Sequence, residues 1–147
     1  MGGHLVRMLA SLRGVTRVHV VDLAPPPAGV PPNVTFSRCS VTDVDEMRAI
    51  FAQLQPTTIF HAASLIDLRP GGASAAATEE VNVQATQHLL ELARQHGARR
   101  FVYTSSIEVV YRDNRCLRAA EMTPYSPHPG NPYQRTKIAA ERAVLRA

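Results

Sequence analysis

Apolar residues recur along this chain in two alternating rhythms. Residues 3–13 put Leu5, Met8, Leu9 and Leu12 on one stripe at helical spacing, and Gly14 stands where a helix stops. From Val15 to Asp22 the rhythm changes to a run of β-branched residues, which predicts a strand. Five prolines and one glycine between 24 and 32 predict a loop, and a second short strand follows from Val34 to Cys39. Thr42-Asp43 opens a helix with Val44, Met47, Ile50, Phe51 and Leu54 on its apolar face. Asp43 reads as its N-cap and Pro56 ends it. Thr57 to Ala63 reads as a buried strand, and 65–74 as a Pro/Gly loop. A long helix is expected over roughly 75–96, with Val81, Leu89, Leu92 and Ala93 inward and Gly97 behind it. Arg100 to Ser105 is another strand. Residues 112–132, with four prolines, read as a surface loop, and a last helix begins near Asn131-Pro132.

Strands that alternate with helices in this way predict an α/β fold with a parallel sheet and helices on both faces. The 147 residues suffice for one domain with a real core, and no internal repeat marks a second. The formal charge of +4 is spread along the chain. Its densest cluster, Arg112, Arg115 and Arg118, is broken by Asp113 and has few aromatics beside it. That argues against a nucleic-acid partner. Cys39 and Cys116 have no CxxC spacing and fit a reduced, cytoplasmic setting. No stretch reaches the ~18–20 apolar residues of a membrane span, and the N-terminus has no signal pattern. His61 reads as a packed strand histidine. Histidines 4, 19, 88, 96 and 128 have no ligand spacing, so no metal is expected.

The chemistry lies toward the C-terminus. Tyr133 and Lys137 stand at i and i+4, on one face of the last helix. Upstream, Tyr103-Thr104-Ser105-Ser106 brings hydroxyl side chains to the end of a strand. Tyrosine is too weak a base at its reference pKa of about 10. A nearby lysine ammonium favours the phenolate, and a serine can hold a substrate oxygen. The three together can move a proton on and off an alcohol while hydride passes to or from a nicotinamide.

Several residues read as the cofactor side. A dinucleotide-binding unit opens with a strand, a glycine-rich turn and a helix. Here the chain goes straight from Met1-Gly2-Gly3 into helix, so Gly2 stands where the third glycine of such a turn would; simple N-terminal punctuation is the alternative. Asp22 ends a strand 20 residues after Gly2, about where a carboxylate takes the adenine ribose hydroxyls. That choice favours NAD over NADP. The plainer reading of Asp22 is a strand-end aspartate starting a turn. Ser40-Val41 can meet the adenine edge. Ala62 and Ala63, small residues at a strand's end, let a flat cofactor lie against the backbone.

These segments, with Val20-Val21-Asp22, Phe60 to Ser64, Val81-Asn82-Val83, and Tyr133 to Lys137 followed by Ala140-Glu141-Arg142, resemble the extended short-chain dehydrogenase/reductase superfamily. YTSSIEVV and YQRTKIAAERAVL look most like its 3β-hydroxysteroid dehydrogenase and sterol-4-carboxylate dehydrogenase branch. The resemblance implies a Rossmann-like, doubly wound parallel sheet. It implies Ser106, Tyr133 and Lys137 as catalytic triad, with Ser105 the alternative serine, and Asn82 supporting the lysine through water. It implies NAD as cofactor and a steroid or sterol 3β-hydroxyl as substrate, with a homodimer and membrane association of the longer parent both compatible. A nucleotide-sugar epimerase or dehydratase of the same fold is the alternative, and a non-catalytic remnant a third.

Two departures accompany the resemblance. The family's first strand and most of its glycine turn are missing, and so is the C-terminal substrate region. Residues 1–147 are thus expected to be a partial NAD(P)-binding Rossmann domain, inactive alone. In the family's strand order 3-2-1-4-5, the missing strand is central. The strands around Val20 and Ile59 would lack their shared neighbour, at roughly 1–3 kcal/mol for each unpaired buried group.

Overall fold

The computed structural model describes residues 2–26, 28–66, 73–111 and 120–147. Arg112, Asp113, Arg115, Cys116 and Arg118, and residues 67–72 of the expected Pro/Gly loop, lie outside the described residues. The chain divides into two compact units, Met1–Met47 and Arg48–Ala147.

In the first unit, helix α1 (Gly2–Ser11) leads through a turn to strand β1 (Val18–Asp22), which pairs with β2 (Val34–Arg38). The turn contains Gly14 at φ +88°, a conformation that side-chain-bearing residues rarely take. The strands are parallel and in register from Val18 opposite Val34 to Asp22 opposite Arg38. The His19 ring bridges to Thr35 Oγ1 (2.7 Å) and Ser37 Oγ (3.1 Å) across the pair. The expected α1 stripe is only partly covered: Met8 and Leu12 are each 52% exposed, and no α1 residue is fully buried. Two strands about 4.8 Å apart are too narrow a floor for a helix stripe.

Helix α2 (Val44–Leu54) follows, with Asp43 Oδ1 accepting the Glu46 N–H at 3.1 Å, the N-cap read from the sequence. Gln55 at φ +46° and Pro56 close it.

The second unit holds β3 (Thr58–His61) and β4 (Arg100–Tyr103), parallel and in register from Thr58 opposite Arg100 to His61 opposite Tyr103. Between them one helical stretch runs as α3 (Ala75–Glu79), a π-helical turn (Glu80–Gln84) and α4 (Ala85–Gln95). It ends in a paired C-terminal motif around Gly97 at φ +68°. There the Ala98 N–H returns to Ala93 O (2.8 Å) and the Gly97 N–H to Arg94 O (3.3 Å). A 3₁₀ turn (Ile107–Val110) and helix α5 (Pro132–Arg146) complete the unit. Its core gathers Ile50 and Phe51 of α2, Leu89, Leu92 and Ala93 of α4, and Ile138 and Ala140 of α5, all buried.

The single sheet expected from the alternation is instead two two-stranded parallel sheets, β1–β2 and β3–β4. This is the pairing expected when the central strand is absent. Each strand is shorter than its apolar run because hydrogen bonding ends where one neighbour ends. Val15–Asp22 contracts to Val18–Asp22, Val34–Cys39 to Val34–Arg38, Thr57–Ala63 to Thr58–His61, and Arg100–Ser105 to Arg100–Tyr103. Side chains alternate on β3–β4: His61 and Tyr103 meet the helices, while Phe60 and Val102 stay 39% and 45% exposed. Among the described residues no helix is long and apolar enough to cross a membrane.

Candidate active site

Helix α5 sets the site. Asn131 caps it, its Oδ1 accepting the Gln134 N–H at 2.7 Å, and Pro132 takes the first helical position, where a missing N–H costs nothing. The buried face carries Tyr133, Gln134, Thr136, Lys137, Ile138 and Ala140. Lys137 is 1% exposed, an unusual place for an ammonium. Its Nζ donates to Thr104 O at 2.6 Å and lies 4.2 Å from the Tyr103 ring centroid, where the aromatic face attracts a cation. Burial lowers its pKa to about 8, against the opposing pull of Glu141 one turn on. The group is therefore mostly charged at neutral pH, at the C-terminal end of β4.

Tyr103 lies under this charge with a buried hydroxyl that has no partner among the described residues. Burial first, then the nearness of Tyr133 and Glu141, pushes its phenol well above the usual range. Tyr103 is therefore poorly suited to exchange a proton.

The two serines after β4 differ in what they hold. Ser105 donates its hydroxyl to Glu141 Oε2. Ser106 Oγ caps the 3₁₀ turn, accepting the Glu108 N–H at 3.2 Å, and its own O–H engages no acceptor among the described residues. Of the pair, Ser106 keeps a donor for a substrate oxygen.

Asn82 sits on the π-helical turn, 1% exposed, with all four side-chain bonds made. Oδ1 accepts from Leu65 N (2.7 Å) and Ser64 Oγ (3.0 Å), while Nδ2 donates to Leu65 O and Thr136 Oγ1, both at 3.0 Å. It thus ties the loop after β3 to α5 beside Lys137. The chain of bonds continues. Thr136 donates to Tyr133 O (2.9 Å), and Thr86 donates to Asn82 O (2.8 Å). Since the Thr86 hydrogen is engaged there, His61 Nε2, 2.9 Å from Thr86 Oγ1, must be the donor of that contact. Burial, then the Lys137 charge, lowers the His61 pKa to about 4, so the ring is neutral and holds this tautomer.

Tyr133, Lys137, Ser106 and Asn82 all lie in the second unit, and Asn82 reaches the turn of α5 that carries Tyr133 and Lys137 through Thr136. Ala62 and Ala63 follow β3 there, exposed. In the first unit, Asp22 is exposed at the end of β1 and its Oδ1 accepts the Ala24 N–H at 3.0 Å, so the turn-starting reading is realised. Ser40 bonds Thr42 locally (Oγ–Oγ1 2.8 Å), and Val41 is half-buried beside it. Gly2 opens α1 in open space: a Cβ added there meets nothing within 4 Å, so sterics do not require glycine. The sequence reading did not single out Gln134, whose Nε2 donates to Glu108 O (2.7 Å) and Tyr111 O (2.9 Å), or Glu141. Helical spacing from Lys137 was the available signal for Glu141.

Three comparisons bear on this arrangement. The family described as "NAD dependent epimerase/dehydratase family" matches residues 1–147. A 3-beta-hydroxysteroid dehydrogenase of Mycolicibacterium neoaurum is 34% identical over 152 aligned residues, covering 99% of this chain and 40% of the relative. Human 3 beta-hydroxysteroid dehydrogenase type 7 is 36% identical, covering 100% of this chain and 42% of its own length. The chain therefore spans about two fifths of these relatives. The crystal structure of Thermus thermophilus UDP-glucose 4-epimerase in complex with NAD superposes with a TM-score of 0.83 at 30% identity, over 99% of this chain and 46% of that one.

Proposed function

This chain belongs to the NAD dependent epimerase/dehydratase family, and on that premise we propose that its full-length parent oxidises a steroid or sterol 3β-hydroxyl, with NAD as acceptor and Tyr133 as general base. The observation that carries the reading is the buried, charged Lys137 one turn beyond Tyr133, with the Ser106 hydroxyl at the end of the strand whose carbonyl holds that lysine. Ser106 donates to the substrate oxygen. Tyr133 takes the hydroxyl proton as the C–H bond breaks, and the Lys137 charge stabilises the phenolate that receives it. Bound NAD supplies the hydride acceptor. In the first unit, Asp22 is an exposed acceptor of the kind adenine ribose hydroxyls need, and the Cys39 N–H bond to Asp22 O (3.2 Å) brings Ser40-Val41 near it. Ala62 and Ala63 expose a smooth backbone after β3, and Lys137 can bond a ribose hydroxyl. Asn82 holds Thr136, and through it the helix turn that carries both Tyr133 and Lys137.

An apolar substrate is supported by Ile107, 67% exposed directly after Ser106, and by Ile66, 60% exposed on the loop leaving β3. The second reading, a nucleotide-sugar epimerase or dehydratase, has the likeness to the Thermus epimerase in its favour. Steady-state assays of the full-length parent with a 3β-hydroxysteroid or a UDP-hexose, each with NAD and NADP, separate the two. Turnover of the steroid with NAD is the expected result. Epimerisation of the hexose alone would overturn the steroid reading, and a clear NADP preference would overturn the role of Asp22.

A further inference from the structure

Glu141 takes no step in the chemistry proposed above, yet three segments meet on it. It lies on α5, half-buried, one turn beyond Lys137. Oε2 accepts the Ser105 hydroxyl, and Oε1 accepts the Tyr125 hydroxyl at 2.9 Å. The Arg142 guanidinium covers the Tyr125 ring, 4.8 Å from its centroid, and the next residue, Ser126, donates its N–H to Val109 O at 2.8 Å. One carboxylate therefore ties the end of β4 and the 120–131 segment to the helix that carries Tyr133. Hydroxyl bonds to an ionised acceptor are among the stronger ones available. Gln134 holds the other end of the same stretch through Glu108 O and Tyr111 O. Ser106 lies between these two attachments.

The carboxylate also faces the lysine electrostatically. Lys137 meets the Tyr103 ring of β4 and the Thr104 carbonyl just after it, and interacts electrostatically with His61 of β3 and Glu141 of its own helix. Among the described residues Glu141 is the one anion acting on it. Resting on the reading above, the geometry points to Glu141 as a positioning residue: it fixes Ser106 through Ser105 and supplies the negative charge that the buried Lys137 ammonium needs.

The test uses the intact 147-residue chain without substrate or cofactor. NMR follows the Lys137 ε-methylene carbon through a pH titration, and hydrogen exchange follows the Val109 and Tyr111 amides. Glu141→Gln keeps the shape and removes the charge. Ser105→Ala removes a donor and leaves the charge. Glu141→Gln is expected to move the Lys137 midpoint down from about 8 by about half a unit or more. Both variants should speed exchange at the two amides about tenfold, with the Lys137 midpoint kept in Ser105→Ala. A merely structural glutamate would move exchange and leave the midpoint alone, so an unchanged midpoint in folded Glu141→Gln overturns the electrostatic role. If Glu141→Gln does not fold, Ser105→Ala decides, and wild-type exchange there overturns the proposal. None of these readouts depends on turnover, so they stand apart from the steroid reading, which the Tyr133 kinetics below address.

Discussion

Tyr133 and Lys137 differ in what their loss should do. In the full-length parent, with steroid and NAD, Tyr133→Phe is expected to cut kcat by about 10²–10⁴-fold, the usual effect of removing a proton-transfer group, and to leave NAD affinity nearly intact. Lys137→Ala should damage both, since the ammonium serves the phenolate and the ribose. Paired kinetics and NAD titrations on the two variants check this, and a Tyr133→Phe protein with normal turnover would end the general-base assignment. His61 makes a prediction about stability. An unfolded histidine takes its proton near 6.5, whereas folded His61 does so only near 4. Between those values the unfolded state binds more protons. The stability due to the neutral ring is therefore complete above pH 6.5 and declines as pH falls toward 4, by about 1.4 kcal/mol per unit. Urea midpoints at pH 7, 6 and 5 should fall in the wild type. They should fall less in His61→Gln, which keeps a donor for Thr86 but does not titrate; His19, also lowered by burial and Arg17, accounts for part of what remains.

At the scale of elements, the π-helical turn is the feature that organises the site. An extra residue in the turn re-aims the helix face, and Asn82 sits on it. The alternation of apolar residues told where the 75–96 helix would run, because Leu89, Leu92 and Ala93 obey one period. It could not show the π turn, since one inserted backbone register leaves the side-chain pattern of Glu80–Gln84 readable as ordinary helix. The 3₁₀ turn at Ile107–Val110 escaped for a similar reason: four residues are too few to show a period. Asn82→Ala should cost about 2 kcal/mol or more, because it strands the Leu65 N–H and C=O that the amide now satisfies. Denaturant unfolding of the variant measures it. Asn82→Asp should be damaging too, since a carboxylate cannot donate to Leu65 O and Thr136.

For the whole molecule, the pairing of strands sets the expectation. β1 has β2 as its neighbour and β3 has β4, and no third strand joins either pair among the described residues. Two-stranded sheets are marginal unless a helix covers them. The β3–β4 pair has the cluster of α4 and α5 against His61 and Tyr103, while the helix on the β1–β2 side buries none of its residues fully. Heating should therefore give a broad transition, with far-UV circular dichroism and calorimetry failing to coincide. Calorimetric titration of the 147-residue chain by itself with NAD is expected to show weak binding or none. A sharp single transition together with micromolar NAD binding would contradict this.

What the sequence determined by itself was local. The two periodicities placed every helix and strand in order, since burying one face of an element imposes its spacing regardless of its partners. The i, i+4 spacing put Tyr133 and Lys137 on one face for the same geometric reason, and the serine pair showed as hydroxyls at the end of β4. Asp43 and Asn131 showed as caps because capping acts within three residues. The tertiary structure alone decided the rest. It separated Ser105 from Ser106 by giving one to Glu141, and it drove Lys137 into a buried place where Tyr103 and Thr104 receive its charge. It joined His61, Thr86, Asn82 and Thr136 across four elements. Each of these depends on which groups meet through space, where a polar atom leaving water must find a partner, and no pattern along the chain specifies that partner.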